Sequence, residues 1–257
     1  MNLDVIGSTN IINIVLGLIV VSCYFVMHFI EMASFGSRVA GRVSNRVALG
    51  TTLQLSINTL SRFLLVPFLP VLAFLVESGI HIEDYLILVI ASFLLSFFAA
   101  ILILLRLNTF QCFFQKIFHN YDNQTIPIAL LKTVINYNQY FKPKLCERFS
   151  IKRIVVKKVL VSCFAYLFLI TGFFIAFMLG VLYPENRLTL STLTAFFHGI
   201  GAIIYAVYLD PMLSRSIDHS NDDITWINNV YSIILGRVLS YLLMLFSVSI
   251  FLVIKLF

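Results

Sequence analysis

Charge is what this sequence has least of. Only 12% of its 257 residues are Asp, Glu, Lys or Arg, about half the share an ordinary soluble domain carries, so water cannot be the solvent for most of its surface. The four cysteines, Cys23, Cys112, Cys146 and Cys163, form no close pair, and two lie inside apolar runs. That argues against a disulfide framework or a thiolate metal site and leaves reduced packing residues. No GxSxG, HExxH or Walker-type loop is present, so the familiar hydrolytic and ATP-using chemistries have no residues to carry them. His28 and Glu31 form an HxxE pair with no second pair of ligands at metal spacing, and neither a metal nor a cofactor is expected. No basic cluster precedes the first apolar run, which is too long for a signal-peptide core, so it is expected to stay in the mature protein.

What the chain has instead is hydrocarbon. Hydrophobic residues make up 60% of it, 25 Phe and 11 Tyr among them, at a mean hydropathy of +0.97. Crossing a bilayer takes about 20 apolar residues, and six segments qualify: residues 11–30, 48–76, 85–105, 159–183, 188–209 and 224–253. The fold class is all-α, a polytopic membrane protein of about six transmembrane helices in a single domain, and Pro67 and Pro70 predict a bend in the second span. Fourteen of the 18 Lys and Arg residues fall in the first, third and fifth connections, at Arg38, Arg42 and Arg46, across residues 106–158, and at Arg215. By the positive-inside rule these connections face the cytoplasm and both termini lie outside. The net charge of +6 therefore answers anionic lipid headgroups and not nucleic acid. In the long basic connection, Phe110, Phe113, Phe114, Ile117, Phe118 and Tyr121 recur at helical spacing opposite Gln111, Gln115, Lys116 and His119, which predicts a cytoplasmic amphipathic helix continuing from, or lying beside, span three. A second helix is expected between Pro127 and Pro143.

Two basic residues, Arg62 and Arg237, lie inside spans. A charge near the bilayer centre costs at least about 2.5–3.5 kcal/mol, so such residues face protein or water and mark function. Thr51, Gln54, Asn58, Ser61 and Arg62 follow one helical face of span two. Asn229, Ser232, Gly236, Arg237 and Ser240 repeat the pattern in span six, and span five adds His198, flanked on its C-terminal side by Gly199 and Gly201, which permit close helix approach. His28, Glu31, Phe35, Arg38 and Arg42 are spaced by three and four if the first helix runs on past its span. Glu31 is expected at the inner mouth of a cationic cavity, paired with Arg38 or with an arginine of another span. Two guanidinium groups, amides and a histidine suit an anion, and the planar arginine fork suits phosphate oxygens. Inside a membrane the natural ligand is a phosphate-bearing lipid.

The segments EMASFGSRVAG (31–41) and NTLSRFLLVP (58–67) resemble the Amj family of bacterial alternate lipid II flippases. There a Glu near the end of the first helix precedes an R-hydrophobic-A-G element, and a Ser-Arg pair in the second helix is followed by proline. LDPMLSRSID (209–218) and GRVLSYLL (236–243) are similar to the family's span-five exit and span-six arginine, and the likeness runs from about residue 25 to 245. The family's Asn and Gln after the Ser-Arg pair are replaced by Phe63, Leu64 and Leu65. The resemblance implies translocation of undecaprenyl-diphosphate-linked sugars across a bacterial cytoplasmic membrane. Lipid II and an O-antigen-like unit fit equally. Arg62, Arg237, Asn58, Gln54, His198, Arg38 and Glu31 are the substrate-binding candidates. Membrane lipids are the other partner, and the sequence allows a homo-oligomer. Two further readings stand beside it: a metal-dependent enzyme acting on a polyprenyl phosphate through Asp210, Asp218, Asp222 and Asp223, and a non-transporting subunit of an envelope-synthesis complex.

Overall fold

The computed structural model of the protein describes residues 3–122, 124–136, 143, 149–219 and 223–256. Six apolar helical stretches long enough to cross a membrane follow one another, Ile12–Val43, Val47–Glu77, Ile82–Tyr121, Val156–Leu182, Pro184–Ser216 and Asp223–Leu256. No strand occurs among the described residues. The polytopic all-α class read from the sequence is the one observed, with each span longer than its apolar stretch implies.

Span one is α1 (Leu3–Ala33) followed, after a break at Ser34, by α2 (Phe35–Val43). The stripe of threes and fours therefore does run on as helix. The sequence places Arg38 and Arg42 in a polar loop, but α2 is buried except for Arg42, packed on span two and span three. Its arginines tolerate that position because each meets a carboxylate, as described below. Span two comprises α3 (Val47–Ser61), a 3-10 turn at Arg62–Leu64 and α4 (Leu65–Glu77). The α-helix is thus interrupted ahead of both prolines. Pro67 has no N–H to return to the Phe63 carbonyl, so the chain tightens there and restarts with proline in the first turn of α4, where it is tolerated.

Span three is α5 (Ile82–Tyr121), continuous apart from non-helical dihedrals at Arg106 (φ −113°, ψ 21°). The amphipathic segment continues from it, but not with a polar face toward the membrane surface: Gln111, Gln115 and Lys116 are buried together with Phe114, Ile117 and Phe118. The short α6 (Ile126–Ile135) covers this end, with Ala129 against Phe114 and Phe118, and the Lys116 ammonium donates to the Asn136 carbonyl. The remainder of the second expected helix lies outside the described residues, as does Cys146. Cys23, Cys112 and Cys163 are free thiols.

Span four is α7 (Val156–Leu182). Span five comprises α8 (Arg187–Ser191), α9 (Leu193–Ile204), a π-helical turn at Tyr205–Leu209 and α10 (Asp210–His219), and span six is α11 (Asp223–Leu256). Asp210 and Pro211 do not terminate span five. The π turn reorganises the hydrogen bonds just before Pro211, and the helix proceeds with proline in the first turn of α10. Spans one, three, four and six form the packed centre, whereas α9 leans chiefly on α7.

In lipid, helices associate by close packing and not by escape from water, which explains the glycines at crossings. A Cβ on Gly236 would lie 2.5 Å from the Val159 carbonyl oxygen and 2.6 Å from Ser162 Cβ. Gly201 likewise abuts the Leu169 backbone, whereas Gly199 has no neighbour within 4 Å and contributes no close approach. Gly236→Val is expected to destabilise the fold by at least about 2 kcal/mol through overpacking, read as a lowered thermal midpoint in detergent. Gly199→Ala is the neutral control.

Candidate functional site

Polar side chains of five spans converge on one cavity deep in the bundle. Span one provides Met27, His28 and Glu31, and span two provides Asn58, Arg62 and Leu65. Tyr166, Leu169, Ile170 and Phe173 of span four, on one helical face, complete the lining with His198 and Tyr205 of span five and Arg237 of span six. Arg62 is 15 residues past Val47 and Arg237 is 14 past Asp223, about 22 Å and 21 Å along their helices at 1.5 Å per residue. At this comparable depth the two arginines line one chamber.

The two guanidinium groups differ in kind. Arg237 is buried, and its Nη2 donates to Glu31 Oε2 at 2.7 Å and contacts His28 Nδ1. Its Nε lies 3.3 Å from the Tyr241 hydroxyl, and the Tyr166 ring stacks 4.6 Å from its central carbon. Arg62, on the 3-10 turn, is exposed and has no hydrogen bond or ion pair among the described residues. The Ser61 hydroxyl reaches Glu31 Oε1 at 3.4 Å, and Ser34 donates to Asn58 Oδ1 at 2.9 Å. Both nitrogens of His198 are buried without a partner, its ring tilted against Phe173 at 5.3 Å. With neutral histidines the chamber carries two positive charges and one negative, a net attraction for anions.

Above the chamber, away from the basic end of the bundle, Tyr24, Phe68, Phe93 and Phe174 close ranks, with Tyr24 and Phe174 centroids 4.9 Å apart and Phe93 and Phe174 5.4 Å apart. The Tyr24 hydroxyl donates to the Ile170 carbonyl at 2.9 Å, fixing span one to span four. Below it, α2 and the turn that follows it are pinned by three arginines, two on the helix and one after it. Arg38 meets Asp210 at 2.7 Å, Arg42 meets Asp223 at 2.8 Å, and Arg46 binds Asp122 through two nitrogens and two oxygens, so the inner ends of spans five, six and three share one clamp. At its exposed outer rung, the hydrogen bond from Arg46 holds the Asp122 carboxyl below its ordinary range. The small stabilisation from that pair is therefore present at neutral pH and lost as pH falls through the depressed value.

Of the seven residues selected from the sequence, the structure brings together Glu31, Asn58, Arg62, His198 and Arg237. Glu31 lines the chamber, two residues before α1 ends at Ala33. Arg38 is elsewhere, buried on Asp210. Gln54 is fully buried one turn inward of Asn58, outside the lining, and neither of its amide atoms has a partner. His28, Tyr166, Tyr205 and Tyr241 were not selected. Only His28 carried a signal, its place one turn before Glu31, because the tyrosines are indistinguishable in sequence from span packing.

The aspartates of the enzymatic reading do not converge either. Asp210 and Asp223 are engaged by different arginines, Asp222 and the side chain of Asp218 lie outside the described residues, and no cluster of three metal-ligating side chains occurs among the described residues. Since Arg38 is buried and Asp210 partly exposed, Asp210→Asn is expected to cost about 1.5–3 kcal/mol, the worth of a hydrogen bond between charged groups. The charge-swapped pair Arg38→Asp with Asp210→Arg should recover part of it in a double-mutant cycle.

No curated protein and no solved structure matches the chain. One family does: its description reads Amj, Alternate to MurJ, and it matches residues 23–253, a stretch that reaches into every span and includes all the chamber's residues. The six-span protein built around this paired and unpaired set of arginines belongs to the Amj family.

Proposed function

We propose that the protein is a flippase, carrying undecaprenyl-diphosphate-linked sugars, lipid II or a related lipid-linked oligosaccharide, from the inner to the outer leaflet of a bacterial cytoplasmic membrane, with both termini outside the cytoplasm. The family's description, an alternate to MurJ, supports this reading. The observation that carries it is Arg62, a guanidinium held at mid-bundle with no partner among the described residues, beside an Arg237 already neutralised by Glu31. An isolated charge at that depth is costly and is explained by an anion that visits it.

Arg62 and Arg237 bind the diphosphate, with Asn58 and His198 as polar contacts. The chamber, about 70 Å³, has room for a few waters or one phosphate-sized group, so the sugars require the spans to part. Span five is the element free to move, since it leans chiefly on span four, is interrupted at Thr192 and at the π turn, and faces span two across the chamber. Its inner end is released when Arg38 and Asp210 separate. The prenyl chain stays in lipid. No bond is made or broken in the cycle.

Purified protein in vesicles with a labelled lipid-linked sugar tests this. Translocation that persists in a divalent-metal chelator is the expected result, and metal-dependent conversion to a new lipid would establish the enzymatic reading instead.

A further inference from the structure

The chamber's charges do not balance the ligand proposed for it. Arg62 and Arg237 supply two positive charges and Glu31 one negative. A diphosphate esterified at both ends carries two negative charges at neutral pH, so the loaded chamber would hold one uncompensated negative charge in a low-dielectric interior, where that is expensive. A ligand oxygen that took the Arg237 nitrogen lying 2.7 Å from the carboxylate would displace Glu31 Oε2. Once displaced, Glu31 retains only the distant Ser61 hydroxyl at 3.4 Å and His28 at 3.5 Å.

We infer that binding of the diphosphate is coupled to uptake of one proton by Glu31, making the protein a proton-linked carrier. The proton comes from water and ends on a Glu31 carboxyl oxygen, so the loaded chamber is neutral: two guanidinium cations, a diphosphate dianion and an uncharged carboxyl. The inference rests on the diphosphate reading above.

The other titratable groups facing Glu31 are poorer acceptors. On span one, His28 Nδ1 is occupied by Arg237 Nη2, and a charged imidazole there would sit against that guanidinium. Tyr24 of the same span donates to the Ile170 carbonyl. On spans four and six, Tyr166 and Tyr241 are phenols around Arg237, and Tyr205 of span five is another. A neutral phenol already carries its proton and takes up no second one at neutral pH. His198 of span five and Arg62 of span two complete the surroundings; His198 is the competing acceptor and is tested as such.

Calorimetric titration of the full-length protein in nanodiscs tests the coupling, with a short-chain prenyl-diphosphate-linked sugar as probe and two buffers of different ionisation enthalpy. About one proton should be taken up per probe bound. The dissociation constant should rise about tenfold per pH unit between the carboxyl's loaded and empty titration ranges. Glu31→Gln, a mimic of the protonated acid, should bind without proton uptake and with an affinity that does not change with pH. His28→Asn and His198→Asn should each keep the uptake. Binding to the wild type without proton uptake overturns the inference and leaves the diphosphate reading intact. Uptake that persists in Glu31→Gln, or vanishes in either histidine variant, also overturns it, even if Glu31→Gln cannot be purified. No binding to the wild type overturns the diphosphate reading itself, and this inference with it.

Discussion

Replacing Arg237 with leucine should lower the stability of the protein by about 3–5 kcal/mol, the cost of removing one partner of a buried ion pair. The guanidinium is among the largest fully buried side chains and the only cation within 3 Å of the Glu31 carboxylate among the described residues. Without it a carboxylate remains in the chamber beside an imidazole and a hydroxyl. The same reasoning predicts that the double variant Glu31→Leu with Arg237→Leu recovers most of the loss, because two apolar side chains of suitable volume replace a buried pair at little net cost. Transport, however, should be absent from both. Thermal denaturation in detergent combined with vesicle translocation separates the effects. A double variant that remains as unstable as the single would show that Arg237 is held by the tyrosines and not by its ion pair.

Arg62→Ala should do the reverse, abolishing translocation by at least about a hundredfold while leaving stability within about 0.5 kcal/mol. Two charge-assisted hydrogen bonds to a phosphate are worth about 1.5–3 kcal/mol each, whereas truncating an exposed side chain without a partner disturbs nothing in the resting fold. Arg62→Lys should also be strongly impaired, since an ammonium keeps the charge but not the planar fork that grips two oxygens at once. Initial translocation rates in vesicles at matched protein density provide the measure. Full activity of the lysine variant would reduce the role of Arg62 to general electrostatic attraction, and full activity of the alanine variant would favour a subunit that does not transport.

On the proposed reading, an ion pair is part of the binding site instead of a reason to dismiss one. The carboxylate at Glu31 makes Arg237 tolerable in an empty chamber, and its removal from that nitrogen is what a ligand must accomplish. A ligand shifts conformations only by binding them unequally. Under the proposed mechanism, exchange of partners at Arg237 would give the empty and loaded carriers different internal charges, and therefore a reason to prefer different arrangements of span five.

Much of this was legible in the chain. Apolar runs of membrane length bounded by charge leave little choice of fold, since every backbone group must bond within its own helix when no water is present. Likewise Arg62, Arg237 and Glu31 stand out because ionised groups are rare where hydrocarbon surrounds them. The polar faces of spans two and six were visible as period-3.6 stripes for the same reason.

What the residues could not reveal by themselves was which partner each charge would take. Glu31 has Arg38 seven residues away, yet its partner is Arg237, 206 residues along the chain, and Arg38 instead meets Asp210. Gln54 lies on the same helical face as Asn58 but is buried outside the chamber, because a stripe fixes direction around one helix and not the neighbour it meets. That six helices lie in lipid with charges that must be sheltered follows from the residues, since solvent alone imposes this on a chain. That one arginine is neutralised and the other left open follows from the packed bundle, because pairing depends on distances between helices, and these are set by the packing of α2 and the glycine crossings of spans four, five and six.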